Sequence, residues 1–288
     1  MTSCLLLYTI LVLQIVVSHG DLETLFSCAN RLGTDSSNPG KSCRDIYEYN
    51  MASHGQSGYY WIKTDQVYKV YCDMELSCGG IKGGWMMIAK VDTSQGDDCP
   101  DGWKKITNPQ LLCRGSGDAA GCYSAYFSNY KAGYNSICGK LKGYQQGSTD
   151  GFYKHSSSIN GPYLEGVSIS VGRPRKHVWS YATGYTKRSA CPCANESPGT
   201  APFFVKEHYY CESGTTSNPA YSQFLGSDPL WDGNGCPDDD DCCSRLGAPW
   251  FYRHFTPTEK GAVEVRICRD QEFSNEATLI EQIELYIQ

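Results

Sequence analysis

The residues best suited to bind a metal form an acidic run between two cysteine-containing turns. Four aspartates follow one another here, just after Cys236 and just before Cys242-Cys243. Calcium takes six to eight oxygen ligands, and clustered aspartates supply such oxygens. Adjacent side chains of an extended segment point alternately apart, which works against four carboxylates converging on one ion. The run is therefore a specific calcium site, a weak contact with calcium or a mineral surface, or a solvated acidic turn. The candidate ligands are Asp238, Asp239, Asp240 and Asp241.

The other cysteines and the histidines show no pattern typical of an active site. Cys191-Pro-Cys193 and Cys242-Cys243 lack the spacing and the second pair of a zinc site, and no C-x-x-C redox motif occurs. His177, His208 and His254 accompany neither a G-x-S-x-G nor an H-E-x-x-H motif. These patterns predict structural disulfides and a protein that is not an enzyme.

Two further sets of residues are candidates for binding. Arg173-Pro-Arg175-Lys176-His177 is a basic cluster, and it is either a surface for sulfated glycans and acidic matrix polymers or a solvated turn before a strand. Several aromatic residues lie near predicted loops, where they either stack on sugars or pack in the core. They are Tyr59, Tyr60, Trp231, Trp250 and Tyr252.

Hydrophobic periodicity predicts the elements that position these residues. Ser42 begins a short helix over Cys43–Tyr49, because its hydroxyl accepts from free amides of the first turn. Alternating patterns predict strands with one face inward and one outward. The predicted strands cover 58–63 and 67–72 (a hairpin), 85–91, 167–171, 177–181, 263–267 and 283–287.

Two segments, about 95–160 and 186–250, lack this periodicity and are rich in glycine, tyrosine and cysteine. We predict long loops held by disulfides there, with a short helix at Asn108–Cys113. The expected fold is α+β: mainly antiparallel sheet with short helices, in a single domain over residues 42–288 after a polar segment at 21–41.

The composition indicates a secreted protein. Residues 1–20 have the apolar run and small residues of a signal peptide. The chain has 16 cysteines, and thiols pair in oxidising compartments. Removal of Cys4 leaves an odd number, so one thiol is free or bonded to another chain, and Cys28 is our candidate. Asn195 is the candidate glycosylation site. The net charge of -6 argues against nucleic-acid binding, and no second apolar run predicts a membrane span.

The opening of the chain resembles the fibrinogen C-terminal-like family and its intelectin relatives. The resemblance rests on Ser42-Cys43-Arg-Asp-Ile46, Val70-Tyr-Cys72-Asp-Met74 and Gly83-Gly84-Trp85, and covers about residues 42–91. It implies a disulfide between Cys43 and Cys72. The calcium loop and acetyl-group pocket of fibrinogen-related lectins have no matching block, so lectin residues are not carried over.

Later blocks resemble uncharacterised secreted proteins of corals and other cnidarians, some of them found in the skeletal organic matrix. These blocks are 102–106, 161–163, 174–179, 236–243 and 263–270. The resemblance implies a non-catalytic extracellular matrix protein, as in a calcified skeleton, whose partners are matrix or mineral surfaces and glycans. The alternative is a calcium-assisted lectin of the fibrinogen/intelectin class.

Overall fold

The structure, a computed structural model, is dominated by antiparallel sheet. It describes residues 31–50, 55–107, 111–147, 166–173, 175–182, 200–203, 251–269, 272–273 and 276–288. Within these ranges the α-helix is α1, Cys43–Asn50, and a 3₁₀ turn covers Thr93–Gln95. The strands are β1 Gly58–Lys63, β2 Val67–Asp73, β3 Ser77–Cys78, β4 Ile81–Lys82, β5 Trp85–Asp92, β6 Trp103–Thr107, β7 Leu111–Gly115, β8 Gly121–Phe127, β9 Tyr134–Gly147, β10 Gly166–Val171, β11 Lys176–Ala182, β12 Thr200–Phe203, β13 Phe251–Glu259, β14 Val263–Arg269 and β15 Glu276–Ile287.

The described residues belong to two compact units. The first contains residues up to Ser77 together with Lys82–Met86, and the second contains Cys78–Ile81 and the chain from Met87 onward. The described residues form four disulfides, one within the first unit and three within the second. These bonds indicate an oxidising compartment. Among the described residues, no helix has the length and apolar character needed to cross a bilayer.

The first unit contains the predicted helix and hairpin. The Ser42 hydroxyl accepts from the Asp45 amide at 3.1 Å, as expected of an N-cap. Strands β1 and β2 pair antiparallel, and a disulfide joins Cys43 to Cys72, the pair that the fibrinogen resemblance implies. Ile46 on the helix and Ile62 on the hairpin are fully buried, as are both cysteines of this bridge. Helix, hairpin and disulfide therefore share one small core.

The second unit contains two sheets. In one of them, β15 pairs with β9 on one side and with β7 on the other. Strand β9 also pairs with β13 and β12, and β7 also pairs with β6. The other sheet has four strands in the order β11-β10-β14-β8. The Trp179 ring stacks on Phe251 with 5.6 Å between ring centroids, so a strand of one sheet packs on a strand of the other.

Residues 95–160 differ from the prediction of long loops, because β6, β7, β8 and β9 all lie there. The predicted helix at Asn108–Cys113 is wrong, since Leu111–Gly115 is a strand paired with β6. Local periodicity is weak in this segment because the strands are specified by distant partners: Ile137 on β9 lies opposite Ile287 at the end of the chain. Disulfides are predicted to hold this segment, and one of them joins Cys99 to Cys113 within it.

The prediction that β10 and β14 each have one face turned outward is also wrong. Every residue of both strands is buried, including Ser168, Ser170, Glu264 and Arg266. The polar side chains of the two strands bond to each other, since Ser170 donates to Glu264 and Arg266 donates to Ser168. This polar layer leads to the candidate site.

Gly139 on β9 is expected to tolerate no side chain. A Cβ there would lie 2.6 Å from the Glu284 carbonyl oxygen and 2.7 Å from both Leu285 Cδ2 and Phe251 Cζ. Overpacking in a closed core costs a few kcal/mol, so G139A should lower the free energy of unfolding by about 2 kcal/mol. Urea denaturation measures this, with G58A as the control because a Cβ at Gly58 would meet nothing within 4 Å. Equal stability of the two variants would contradict the prediction.

Candidate functional site

A cleft of about 570 Å³ opens at one end of the four-stranded sheet in the second unit. It is formed by the turn between β10 and β11, by the residues that lead into β14, and by one residue of β8. Gly172 in this turn has a φ of 74°, a left-handed conformation that favours glycine. The residues that line the cleft are Tyr126, Ser170, Gly172, Arg173, Arg175, Gly261, Ala262 and Glu264.

Glu264 is the central charged group of the cleft wall. Strand register places it between Ser170 on β10 and Tyr126 on β8. Its Oε2 accepts from the Ser170 hydroxyl at 3.2 Å. Its Oε1 accepts from the hydroxyls of Ser124 at 2.6 Å and Tyr126 at 3.2 Å. The carboxylate is thus supplied with donors from both neighbouring strands.

Arg175 completes this arrangement from the turn before β11. Its Nε donates to Glu264 Oε2 at 2.7 Å and its Nη2 donates to Oε1 at 3.1 Å, which is a two-point ion pair. The Glu264 side chain is only 7 % exposed, whereas that of Arg175 is 33 % exposed. The pair therefore has its acid inside the wall and its base at the surface of the cleft.

Both members of this pair are charged near neutral pH. Burial alone would raise the pKa of Glu264, but hydrogen bonds from Arg175 and Ser124 and the positive charges of Arg175 and Arg266 lower it to about 2. The hydrogen bond to Glu264 also raises the pKa of Arg175. A general acid or base needs a pKa near the working pH, so these two groups are suited to binding and to structure.

A second ion pair and two buried side chains fix the backbone of residues 259–261 at the edge of the cleft. Lys176 pairs with the buried Glu259 at 2.5 Å. The Tyr134 hydroxyl donates to the carbonyl of Gly261 at 2.7 Å, and the buried Asn129 amide donates to the carbonyl of Lys260 at 3.0 Å. Burial and the nearby Glu259 carboxylate raise the pKa of Tyr134, so it stays a neutral donor. The lining residue Gly261 is therefore rigidly placed.

The charge around the cleft is positive. Glu264 and Glu259 are each paired with a cation, Arg175 and Lys176 respectively. Arg173 on the lining and Lys260 next to it are exposed. The Tyr126 ring, 56 % exposed, adds an aromatic surface at the same place. An anionic ligand with an apolar face would match this combination of charge and ring.

The predicted basic cluster contributes to this site in three different ways. Arg173 is exposed at the cleft, Arg175 pairs with Glu264, and Lys176 pairs with Glu259. Pro174 and the side chain of His177 lie outside the described residues.

Several other predicted residues lie outside the described part of the chain, and they stay predictions. They are the signal peptide at 1–20, Cys28, Cys191, Cys193, Asn195, His208, Trp231, Cys236, Asp238, Asp239, Asp240, Asp241, Cys242, Cys243 and Trp250.

Sequence reasoning missed Glu264 and its hydroxyl donors. The available signal was the polar positions within two β-branched strands, Ser168 and Ser170 in one and Glu264 and Arg266 in the other. A glutamate and an arginine of this kind are rarely buried without partners. That pattern is compatible with a polar layer between strands as well as with a solvent face.

His254 has a serine neighbour but not the geometry of a catalytic dyad. Its Nδ1 lies 3.2 Å from the Ser136 hydroxyl, and the two residues are directly opposite on β13 and β9. Ser136 is fully buried and also contacts the Tyr252 hydroxyl at 3.3 Å. A nucleophile must be open to substrate, so this contact is a cross-strand polar pair.

The described residues contain no group of three or more His, Cys, Asp or Glu side chains able to hold a metal ion. The cysteines in this part of the chain are all in disulfides.

Comparisons with known proteins identify no family. No protein-family model matches the sequence, and no curated protein matches it. Among solved structures, the mosquito-larvicidal Cry4Aa toxin from Bacillus thuringiensis aligns with 79 % of this chain and 31 % of its own at 11 % identity and a TM-score of 0.25. The chain thus spans about a third of that toxin, and a TM-score this low carries no argument about fold or function.

Proposed function

We propose that this chain is a secreted, non-catalytic extracellular matrix protein that binds acidic matrix polymer in the cleft of its second unit. The cleft supports this role because its ion pair is permanent and its exposed charge is positive. Glu264, with a pKa of about 2, is saturated by donors, so it neither transfers protons near neutral pH nor attracts a free cation. Arg173 and Tyr126 remain available for contact.

The broader setting rests on the sequence. The signal peptide, the cysteine content and the resemblance to coral-type proteins favour a place in an extracellular, even calcified, matrix. The fibrinogen-like opening, the α+β class and the single domain over residues 42–288 belong to the same proposal. The disulfide bracing is compatible with it, because cross-links restrict the unfolded chain and suit a long-lived extracellular protein.

Neutralising the exposed cations of the cleft should weaken polymer binding. We expect R173Q/K260Q to bind immobilised heparin about tenfold more weakly than the unmodified protein, because two positive charges that face a polyanion are lost. The difference should shrink as salt rises, since exposed charges are screened. Surface plasmon resonance at two salt concentrations measures both effects.

A charge-matched control separates the cleft from net charge. K90Q/K104Q removes two exposed lysines elsewhere in the second unit and should leave heparin binding within twofold. Equal losses of heparin affinity in the two double variants would show that the cleft is not the binding site.

Repeating the heparin measurement with EDTA, and then with added calcium, tests the lectin alternative. Binding that disappears with EDTA and returns with calcium would favour the calcium-assisted lectin over the matrix role, and would direct attention to Asp238, Asp239, Asp240 and Asp241.

A further inference from the structure

The outer face of the β1–β2 hairpin in the first unit combines aromatic rings with lysines. Strand register pairs Tyr59 with Tyr71, Trp61 with Lys69, and Lys63 with Val67. At the alternate positions of the same strands, Ile62, Val70 and Cys72 are buried. Paired residues of an antiparallel ladder point to the same side, so these six residues form one face, which we call the hairpin face.

The ring of Tyr59 is exposed but held in place, while Trp61 and Tyr71 are half-buried. Tyr59 is 66 % exposed. Its ring meets Tyr71 edge to face, with 5.5 Å between centroids and 82° between planes. Lys69 Nζ lies 5.8 Å from the centroid of Tyr59 and 5.9 Å from that of Trp61. A ring that is already ordered loses little conformational entropy when a ligand stacks on it.

Two lysines are the cations of the hairpin face. Lys63 and Lys69 are exposed. The carboxylate at the end of the same row, Asp73, is held by donors outside the hairpin face: its Oδ1 accepts from the Ser57 hydroxyl at 3.2 Å and from the amide of Leu76 at 2.7 Å. Two lysines beside aromatic rings complement a ligand that has both an apolar face and an anionic group.

From this arrangement we propose that the hairpin face binds an acidic saccharide. The C–H-rich face of a pyranose ring stacks on Tyr59, and a carboxylate or sulfate of the same sugar pairs with Lys69. A flat ring contact alone would accept neutral sugars equally well, and the adjacent lysines select the acidic ones. This site lies in the first unit and the cleft lies in the second, so each unit of the chain has one binding surface for acidic polymer.

The experiment measures the hairpin face in a protein whose cleft is already weakened. In an R173Q/K260Q background, isothermal titration with a heparin hexasaccharide should still detect binding. Adding Y59A or K69Q should weaken that binding at least fivefold, and uncharged cellohexaose should bind more weakly than the heparin fragment. Y49A is the matched control, because Tyr49 is 63 % exposed in the same unit but lies on α1 and not on the hairpin.

The possible results separate the two sites. Loss of all binding in R173Q/K260Q, or equal binding by Y59A, K69Q and Y49A in that background, would overturn the hairpin site. Equal affinity for cellohexaose would overturn its selection of acidic sugars. If Y59A alone abolishes heparin binding and R173Q/K260Q has no effect, the hairpin site stands and the proposed role of the cleft falls. Unchanged melting temperatures of Y59A and K69Q establish that these variants fold.

Discussion

Replacing both Cys122 and Cys268 with alanine is expected to lower the free energy of unfolding by about 5 kcal/mol. Their disulfide closes 146 residues, the longest separation among the four described bridges. A cross-link restricts the unfolded chain more as the closed loop lengthens, so this bridge should contribute most. Urea denaturation under non-reducing conditions, which leave the other bridges intact, measures the loss.

The bridge between Cys99 and Cys113 is the matched control. It closes only 14 residues, for which the same relation gives about 3 kcal/mol. Each of the two bridges has one buried and one half-buried cysteine, so the packing lost on substitution is similar. Equal losses in C122A/C268A and C99A/C113A would show that packing, and not loop length, decides the contribution.

The longer bridge also bears on the cleft. Cys122 and Cys268 lie directly opposite each other on β8 and β14, the strands that carry Ser124 and Glu264. Unfolding the ends of these strands would separate the carboxylate from its donors. We therefore expect C122A/C268A to lose affinity for heparin at temperatures below its global unfolding, whereas C99A/C113A keeps it.

The parts of the fold that the sequence predicts are those with local causes. The α1 helix follows from its Ser42 cap, and the β1–β2 hairpin follows from two alternating runs joined by a short turn. Strand β11 is also confirmed over its predicted residues 177–181. In each case the information lies within a few residues along the chain.

The strands within residues 95–160 are not predicted because the residues that stabilise them are distant along the chain. Strand β9 contains glycines, lysines and glutamines with no clean alternation, yet it pairs with β15 over almost its whole length. Gly139 is required there only because Phe251 and Leu285 close on it. Strand preference reflects packing against neighbours, and here those neighbours lie more than 100 residues away.

The site escapes prediction for the same reason. A glutamate in an alternating strand looks the same whether it faces water or another polar group. The donors that fix Glu264 lie 140, 94 and 89 residues away along the chain, at Ser124, Ser170 and Arg175. The basic cluster was visible in the sequence as a candidate surface, but its division into one exposed and two paired cations required the fold.

Replacing Glu264 with glutamine is expected to lower the free energy of unfolding by about 3 kcal/mol at pH 7. The ordinary pKa of 4.5 falls to about 2 in the folded protein, so folding favours the ionised form. Glutamine keeps the shape but leaves the Arg175 guanidinium without its counter-charge. Thermal and urea unfolding of E264Q beside the unmodified protein measure the loss.

A surface ion pair provides the control for this substitution. Arg44 and Glu48 lie 2.7 Å apart on α1, but their side chains are 37 % and 59 % exposed. Exposed pairs contribute little because water and salt screen them, so E48Q should cost about 0.5 kcal/mol or less. A loss in E48Q as large as that in E264Q would mean that burial is not what gives the Glu264 pair its effect.

The pH dependence tests the cause more directly than the size of the loss. Because the folded pKa of Glu264 is depressed, its contribution is complete above the unfolded pKa of 4.5 and is lost as the pH falls towards about 2. Stability of the unmodified protein should therefore fall more steeply than that of E264Q across this window, and the two should converge near pH 2. Parallel curves would show that the carboxylate's charge contributes nothing and that E264Q acts by disturbing packing. Convergence would establish the charged pair as what holds Arg175 at the surface of the cleft, where the proposed polymer site needs it.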